Sequence, residues 1–215
     1  MHGELTVVKV ESMYIGLVID DKFKLVKNTP PMSSLEDVLM LIDKGRYRLE
    51  EICEFNKLAY PLKYYVETII LSYRGKFHHD PSLISLLSSF YSFPQKTRLL
   101  YLLLLLIPKG RVVTYSGLAK ILSMHPRGVG ILLAKNPYPL IIPCHRVVRN
   151  NGSIGGYLGS VKYMHLKEEI LIREGVKVNN HKVPLSEILP LDTLLGLHKK
   201  ATDLLSRSAS RFKYK

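Results

Sequence analysis

Residues 108–137 read PKGRVVTYSGLAKILSMHPRGVGILLAKNP, and this stretch decides most of the fold prediction. Thr114 is a favoured N-cap residue for a helix that follows over residues 115–122. Pro126 is typical of the first turn of a second helix, which ends before Asn136-Pro137. Two short helices with a tight connection predict a helix-turn-helix, although such pairs also occur as plain packing units.

The segments on either side of this stretch also carry helical patterns. Thr97 to Ile107 predicts a core helix; its apolar run is about half of the ~20 residues that a membrane-spanning helix needs. Downstream, Tyr163 to Arg173 predicts a further helix. Leu191 to Leu205 predicts an amphipathic helix within a tail in which basic residues outnumber acidic ones. This tail has two interpretations, a DNA-binding segment or a solvated chain end. We slightly favour the solvated chain end.

The first part of the chain predicts a sheet followed by helices. Leu5 to Lys27 is rich in β-branched residues and has two breaks, which indicates two or three antiparallel strands. Ser33-Ser34 then begins a helix, and residues 46–81 indicate one or two more. We therefore predict an α+β chain: an N-terminal α/β domain over residues 1–92, and a mostly helical domain over 93–175. The second domain carries a helix-turn-helix or winged-helix-like DNA-binding motif, and a basic extension follows over 176–215.

Composition limits the classes of function. The chain has 31 Lys and Arg against 18 Asp and Glu, a net charge of +13. This charge favours a polyanionic partner such as DNA, but a solvated basic surface explains it about equally well. The two cysteines, Cys53 and Cys144, lie far apart, which excludes a disulfide framework or a cysteine-based zinc site. With no apolar signal segment at the N-terminus, we expect a soluble cytoplasmic protein without a membrane partner.

One of the two cysteines is a candidate nucleophile. Cys144 lies in IPCHRVV (142–148), where two basic residues follow the thiol and favour its ionisation. Cys53 lies between two acids and is the structural cysteine. Taken alone, Cys144 is about as often a small buried hydrophobic residue as a nucleophile. A cysteine protease or acyltransferase normally takes its base from a distant part of the chain, although a bridging water would connect Cys144 to His145.

The sequence around Cys144 resembles the active-site signature of the O6-alkylguanine-DNA alkyltransferases. The string PCHRV at 143–147 is rare, and further family segments accompany it in the right order and spacing between about Pro94 and Gly175. These segments are IPKGRVVTY at 107–115, RGVG at 127–130, Asn136-Pro137, GGY at 155–157 and the Lys167…Glu174-Gly175 pattern.

The resemblance implies a role for each catalytic residue. Cys144 would be the nucleophile and the permanent alkyl acceptor. His145 would deprotonate it through a water, and Glu174 would orient His145, as in a nucleophile–base–orienter triad. Asn136 would hold the turn before the active-site segment. Without the resemblance, Glu174 would be interpreted as a solvated charge at a helix end.

The resemblance also implies the partner, which is double-stranded DNA containing O6-alkylguanine. The target base lies inside the duplex and must be extruded before it can react. Arg127 would enter the base stack from the minor groove, Tyr115 would press on the 3′ phosphate, and Gly130 and Ser116 would lie against the backbone. The alternative for Arg127 is simple phosphate binding. We expect the protein to act as a monomer.

Five residues would line the substrate pocket: Tyr157, Pro139, Val147, Val148 and Ser160. The carbonyl groups of Val147 and Val148 would accept from the exocyclic amine of guanine, and Ser160 would donate towards O6. The loop serine of this chain is displaced relative to the family pattern. The resemblance implies no cofactor, and the two cysteines cannot supply the zinc site of some relatives, so we predict no metal.

The sequence therefore predicts DNA repair by a single-turnover transfer of a methyl or larger alkyl group to Cys144. Two alternatives stay open. A non-catalytic damage sensor would use the same scaffold, but such relatives usually replace the cysteine. A helix-turn-helix regulator would need neither the PCHRV string nor Glu174. O4-alkylthymine is a second candidate substrate.

Overall fold

The computed structural model describes residues 3–42 and 47–211, which fold as two compact units. The first unit comprises the described part of Met1–His78 together with Ser82–Phe90 and Pro137–Ile141. The second comprises His79–Pro81, Tyr91–Asn136 and the described part of Ile142–Lys215. The domain boundaries predicted at residues 92 and 175 stay predictions.

The first unit is built on a four-stranded sheet with the order β3-β2-β1-β4. Strands β1 and β2 pair antiparallel, as do β2 and β3, so the predicted N-terminal strands are confirmed. Consecutive residues such as Val7 and Val8 are buried, so both faces of the sheet contribute to the core of this unit, because successive residues of a strand point to opposite faces. The strands are β1 (Glu4–Val10), β2 (Met13–Ile19), β3 (Leu25–Asn28) and β4 (Arg48–Glu54), and the helices are α1 (Leu35–Ile42) and α2 (Leu62–Tyr73).

Helix α1 begins where the sequence predicts and packs on β2. The hydroxyl of Ser34 accepts from the backbone N–H of Asp37 at 3.1 Å, which caps the first turn. Val38 and Ile42 are fully buried. They approach the sheet at Gly16, where an added methyl group would lie 2.7 Å from Cγ1 of Val38. The absence of a side chain at Gly16 therefore sets the distance between helix and sheet.

Strand β4 was not predicted, because residues 46–81 indicated helices alone. It pairs with β1 in parallel, with Glu4 opposite Arg48 and Lys9 opposite Glu54. Its sequence, RLEEICE, contains three glutamates, a residue depleted in strands, and its pairing joins segments far apart in the chain. This segment is therefore recognised as a strand only from its pairing in the folded sheet. Residues 43–46 lie outside the described part of the chain.

The second unit is mostly helical, as predicted. Its helices are α3 (Gln95–Leu106), α4 (Tyr115–Ile121), α5 (Pro126–Ala134), α6 (Met164–Arg173) and α7 (Leu191–Arg211), and its short parallel strands are β5 (Val113–Thr114) and β6 (Val147–Val148). Helices α4 and α5 pack together across a four-residue connection and form the predicted helix-turn-helix. Thr114 and Pro126 have their predicted positions at the two helix starts. The predicted α+β fold is confirmed.

The segment after Gly175 is part of this unit's core, whereas the sequence slightly favoured a solvated end. Val183 joins a buried cluster with Val112, and Leu194 and Ala201 on α7 are buried as well. Helix α7 packs against α3 and α4 and continues to Arg211, beyond the predicted end at Leu205. No helix in the described residues has the length and apolar character that crossing a membrane would require.

Replacing Gly16 with alanine should destabilise the first unit. The new methyl group would lie 2.7 Å from Cγ1 of Val38 and 3.0 Å from Cγ1 of Ile42, so α1 or β2 must shift. Overpacking of this kind costs about 1–3 kcal/mol, which urea unfolding followed by circular dichroism would measure. Gly196→Ala is the control, since no atom lies within 4 Å of the added methyl group and the stability should not fall. Equal stability of Gly16→Ala and wild type would contradict the close packing.

Candidate active site

Cys144 lies at the start of a tight backbone turn in the second unit. Pro143, with φ −77° and ψ 61°, forms an inverse γ-turn, and Cys144–Arg146 then makes one turn of 3-10 helix. The N–H of Cys144 donates to the carbonyl of Ile142 at 2.7 Å and closes this turn. The turn holds a 6 % exposed thiol at the edge of a cavity.

Asn136 contacts the sulfur directly. Its Nδ2 lies 3.1 Å from Sγ of Cys144 and donates to the carbonyl of Ile142 at 3.2 Å. Burial raises the pKa of the Cys144 thiol, and the hydrogen bond from Asn136 and the charge of Lys167 only partly oppose this. The resting sulfur is therefore a protonated thiol, and nucleophilic attack requires a base.

A buried ionic network lies beside the thiol and centres on Glu174. His145 Nε2 is 3.0 Å from Oε1 of Glu174. Arg146 donates to both carboxylate oxygens, from Nε to Oε2 at 2.8 Å and from Nη2 to Oε1 at 2.6 Å. The same guanidinium donates to the carbonyl of Ile107 at 2.6 Å and lies 3.0 Å from Nδ1 of His79. The predicted pairing of His145 with Glu174 is present in the structure.

Burial determines the charge of His145, and its hydrogen bond to Glu174 determines its orientation. Burial opposes ionisation of Glu174, but His145 and Arg146 hold the pKa of its carboxyl group well below its usual range. Burial lowers the pKa of His145, and this outweighs the opposing effect of Glu174. A neutral His145 therefore donates from Nε2 to Glu174 and keeps a lone pair on Nδ1. No described residue forms a hydrogen bond with that Nδ1 atom.

The positive charge that acts on Cys144 comes from Lys167, whereas the sequence indicated the two basic residues that follow the thiol. Arg146 is engaged by Glu174, and His145 is neutral. Lys167 on α6 is fully buried, and its Nζ donates to the carbonyl of Val147 at 2.6 Å. Burial lowers the pKa of Lys167 to about 8, and the proximity of Cys144 opposes this change.

A cavity of about 220 Å³ opens in front of the thiol. Tyr157 lies in its wall, is buried, and has a hydroxyl group for which the described residues supply no hydrogen-bond partner. Burial raises the pKa of Tyr157 well above its ordinary value, so this hydroxyl stays protonated. The lining residues are Tyr115, Gly130, Leu133, Ala134, Cys144, Gly156, Tyr157, Leu158, Gly159, Ser160, Val161 and Lys167.

Of the five predicted pocket residues, Tyr157 and Ser160 are among the residues that line the cavity. Ser160 lines the cavity, and its hydroxyl accepts from the N–H of Lys162 at 3.1 Å. Val147 and Val148 form β6 and are fully buried, and neither is among the lining residues. Pro139 belongs to the first unit, where its carbonyl accepts from Nδ2 of Asn28 at 2.9 Å. The proposed contacts of these residues with substrate stay predictions.

The predicted DNA-binding residues lie on or next to the helix-turn-helix. Tyr115 and Ser116 are in the first turn of α4, and the Ser116 hydroxyl bonds to the side chain of Asn150. Arg127 is exposed in the first turn of α5, where its N–H donates to Nδ1 of His125 at 3.2 Å. Gly130 follows on the same helix and lines the cavity. These residues therefore occupy one motif whose second helix borders the thiol cavity.

Three residues have site roles that sequence reasoning missed. Arg146 was treated as a neighbouring charge, although it binds Glu174 with two hydrogen bonds. Lys167 was part of the family pattern without a role. His79, outside every motif, joins the network through Arg146. The sequence gives no local signal for these pairings, because the paired residues lie in segments that come together only in the folded chain.

Comparison with known proteins shows that the segment around this site is similar to a known family of domains. Residues 95–176 match the family model described as the DNA-binding domain of 6-O-methylguanine DNA methyltransferase. The methylated-DNA–protein-cysteine methyltransferase of Pyrobaculum aerophilum is 51% identical over 78 residues, which cover 36% of this chain and 49% of that protein. That of Saccharolobus islandicus is 54% identical over 72 residues, or 34% and 45%. The chain thus spans about half the length of these relatives, and the resemblance is confirmed for this segment.

Solved structures show the same fold over a longer range. The O6-methylguanine-DNA methyltransferase of Pyrococcus kodakaraensis has a TM-score of 0.60 and 25% identity, covering 80% of this chain and 99% of that one. The Mycobacterium tuberculosis protein in complex with DNA has a TM-score of 0.52 and 19% identity, covering 79% and 94%. Because the Mycobacterium tuberculosis protein is only 19% identical to this chain, the similarity between them shows a shared fold alone.

Replacing Glu174 with glutamine should destabilise the second unit strongly. The variant leaves the buried Arg146 charge without a counterion, which costs about 3–5 kcal/mol. The effect depends on pH. The folded pKa of Glu174 is depressed, so its contribution is present above its ordinary value of 4.5 and is lost as pH falls towards the lower folded value.

Denaturant unfolding between pH 7 and pH 3 would measure both effects. Wild type should lose stability in the acid range more steeply than Glu174→Gln does. Glu169→Gln is the matched control, because Glu169 pairs with Arg173 on the half-exposed face of the same helix. The loss of unfolding free energy in Glu169→Gln should stay below about 1 kcal/mol. A similar small loss in both variants would show that the Glu174 network is not important for stability.

Proposed function

We propose that this chain, whose residues 95–176 belong to the family of 6-O-methylguanine DNA methyltransferase DNA-binding domains, transfers an alkyl group from O6 of guanine in duplex DNA to Cys144. The observation that carries the proposal is the arrangement at the thiol. Neutral His145, oriented by Glu174, directly follows a cysteine that borders a cavity. This arrangement has the nucleophile, the base and the orienting carboxylate of a triad.

The first step removes the thiol proton. His145 and Cys144 are neighbours in the chain, and the lone pair on His145 Nδ1 accepts the proton through a bridging water. Glu174 stabilises the imidazolium that forms, because its carboxylate already accepts from Nε2 at 3.0 Å. Lys167 stabilises the thiolate electrostatically. Burial keeps the resting thiol protonated, so the thiolate forms only when His145 takes up the proton.

The second step is a displacement at the alkyl carbon. A carbon–sulfur bond to Sγ forms while the bond between that carbon and guanine O6 breaks. The electron pair of the broken bond goes to the guanine, which takes up a proton and becomes unmodified guanine. A thioether is a very poor leaving group, so each chain acts once. No cofactor takes part in this reaction.

Guanine must leave the base stack before it reaches the cavity. Arg127 enters the duplex from the minor groove and fills the space that the base leaves, while Tyr115 presses on the adjacent phosphate. Gly130 and Ser116 allow close approach of the helix-turn-helix to the backbone. The net charge of +13 supports binding to phosphates. The protein acts as a monomer, and its contacts in the minor groove are largely independent of DNA sequence.

The cavity recognises guanine through groups near the thiol. Tyr157 offers a protonated hydroxyl as donor and a ring for stacking. The carbonyls of Val147 and Val148 accept from the exocyclic amine, and Ser160 donates towards O6. Leu133 lies in the cavity wall and limits the size of the alkyl group that fits. We propose guanine as the principal substrate, with O4-alkylthymine as a further one to test.

A damage sensor and a helix-turn-helix regulator are the two alternative functions for the same scaffold. A damage sensor would bind O6-alkylguanine without reacting, but the Asn136–Cys144 contact and the Glu174 network support chemistry at the thiol. A helix-turn-helix regulator would prefer particular DNA sequences and would not need a cavity next to a cysteine. Competition between unrelated duplexes separates the regulator from a lesion-directed protein.

Incubation with duplex DNA containing one O6-methylguanine should add one methylene unit of mass to each chain. Cys144→Ala should show no gain, whereas Cys53→Ala should react fully, because burial and the neighbouring Glu51 raise the pKa of Cys53. Intact-protein mass spectrometry measures the gain and its stoichiometry. Lesion-selective binding without any mass gain would favour the damage sensor and remove the chemical role of Cys144.

Arg127→Ala should slow the reaction with duplex DNA but not with a free O6-alkylguanine base. The arginine is exposed at the start of α5 and would act on the duplex, whereas the free base enters the cavity without extrusion. We expect a loss of at least tenfold with duplex DNA in single-turnover assays, since unstacking a base costs a few kcal/mol. Lys120→Ala, an exposed change on α4, is the control for a general loss of positive charge. Equal losses on both substrates would contradict a role in extrusion.

A further inference from the structure

A cluster of metal-ligating side chains lies on the surface of the second unit, apart from the Cys144 site. His165 and Glu168 are on α6, and His181 follows in the segment after the helix. One potential ligand atom from each residue lies within 4.8 Å of the other two. It is the one group of this kind found among the residues that the structure describes.

The backbone holds the three side chains in place. His165 and Glu168 are three residues apart on a helix and therefore lie on the same face. His181 is in a two-residue turn in which Asn179 and Lys182 exchange backbone hydrogen bonds of 2.8 and 2.9 Å. The carbonyl of His181 also accepts from the N–H of Ile154 at 3.1 Å, which fixes the turn to the body of the unit. The cluster is thus formed by the fold and does not depend on a mobile loop.

The side chains already approach one another closely. Nδ1 of His181 lies 2.5 Å from Oε2 of Glu168. The rings of His165 and His181 meet edge to face with centroids 5.4 Å apart. Both histidines are exposed, so their rings are able to rotate towards a common centre.

Two imidazoles and one carboxylate are the donor set of three-ligand zinc sites. Tetrahedral ligands about 2.0–2.1 Å from zinc lie roughly 3.3–3.4 Å apart, so the widest pair here needs to close by roughly 1.5 Å at most. Hard ions such as Mg²⁺ prefer oxygen ligands and octahedral geometry, which this set does not supply. The chemistry therefore favours a borderline transition metal.

We propose that His165, Glu168 and His181 bind one Zn²⁺ ion, with water at the fourth position, and that the ion fastens the turn 179–182 to α6. The sequence predicted no metal, because that reasoning considered cysteine ligands, and the ligands here have no recognisable spacing motif. The site is separate from alkyl transfer. Loss of the metal should lower the stability of the second unit without abolishing the reaction at Cys144.

Isothermal titration of the full chain with Zn²⁺ tests the proposal. We expect one equivalent to bind, and His181→Ala and Glu168→Gln each to weaken binding at least tenfold. His198→Ala removes a histidine on α7 outside the cluster and should bind like wild type. Mg²⁺ should give no heat of binding at the same concentration. Wild-type affinity in His181→Ala, or no binding by wild type, would overturn the proposal.

Thermal unfolding and Co²⁺ absorption give two further readouts. At a tenfold excess of Zn²⁺ over its Kd, Tm should rise by about 3–6 °C in wild type and in His198→Ala, but not in His181→Ala. Bound Co²⁺ should show the visible bands of nitrogen and oxygen ligands. Thiolate charge-transfer bands would instead place the ion at a cysteine and overturn the assignment. The mass gain at Cys144 should be the same for His181→Ala and wild type.

Discussion

The buried carboxylate of Glu174 is the charge on which the rest of the active site depends. It accepts two hydrogen bonds from Arg146 and one from His145, and all three side chains are almost completely removed from solvent. A buried guanidinium without a counterion is very unfavourable, so the carboxylate permits Arg146 to lie inside the unit. Arg146 in turn donates to the carbonyl of Ile107 at the end of α3, which ties the cysteine segment to the core. One ion pair therefore both stabilises the packing of this unit and orients the histidine beside the thiol.

Helix α6 connects this ion pair to the thiol. Lys167 on the helix and Glu174 at its C-terminal cap are separated by two helical turns and so face the same side. Lys167 lies near Cys144, and Glu174 orients the histidine that follows it. The same helix carries the exposed His165 and the partly buried Glu168, the first two ligands of the proposed zinc site. The residues proposed for alkyl transfer and those proposed for metal binding thus lie at different positions around one helix.

Local signals in the sequence were sufficient for many elements. The caps at Thr114 and Ser34 and the proline at the start of α5 predicted helix starts that the structure confirms. Strand β4 was missed, because its glutamates argue against a strand and its partner β1 lies about forty residues away. Helix α7 was predicted, but its contribution to the core was not, since an amphipathic pattern does not reveal which surface will cover the apolar side.

The sequence by itself indicated the candidate cysteine and the helix-turn-helix, because these depend on residues within a few positions of one another. Tertiary structure alone decided which charged groups lie next to one another. Arg146, adjacent in sequence to the active-site histidine, pairs with Glu174, while Lys167, distant in sequence, acts on Cys144. The physical reason is that the Coulomb energy of a buried group depends on distance in space and on exclusion of water. Neither quantity exists before the helices pack together.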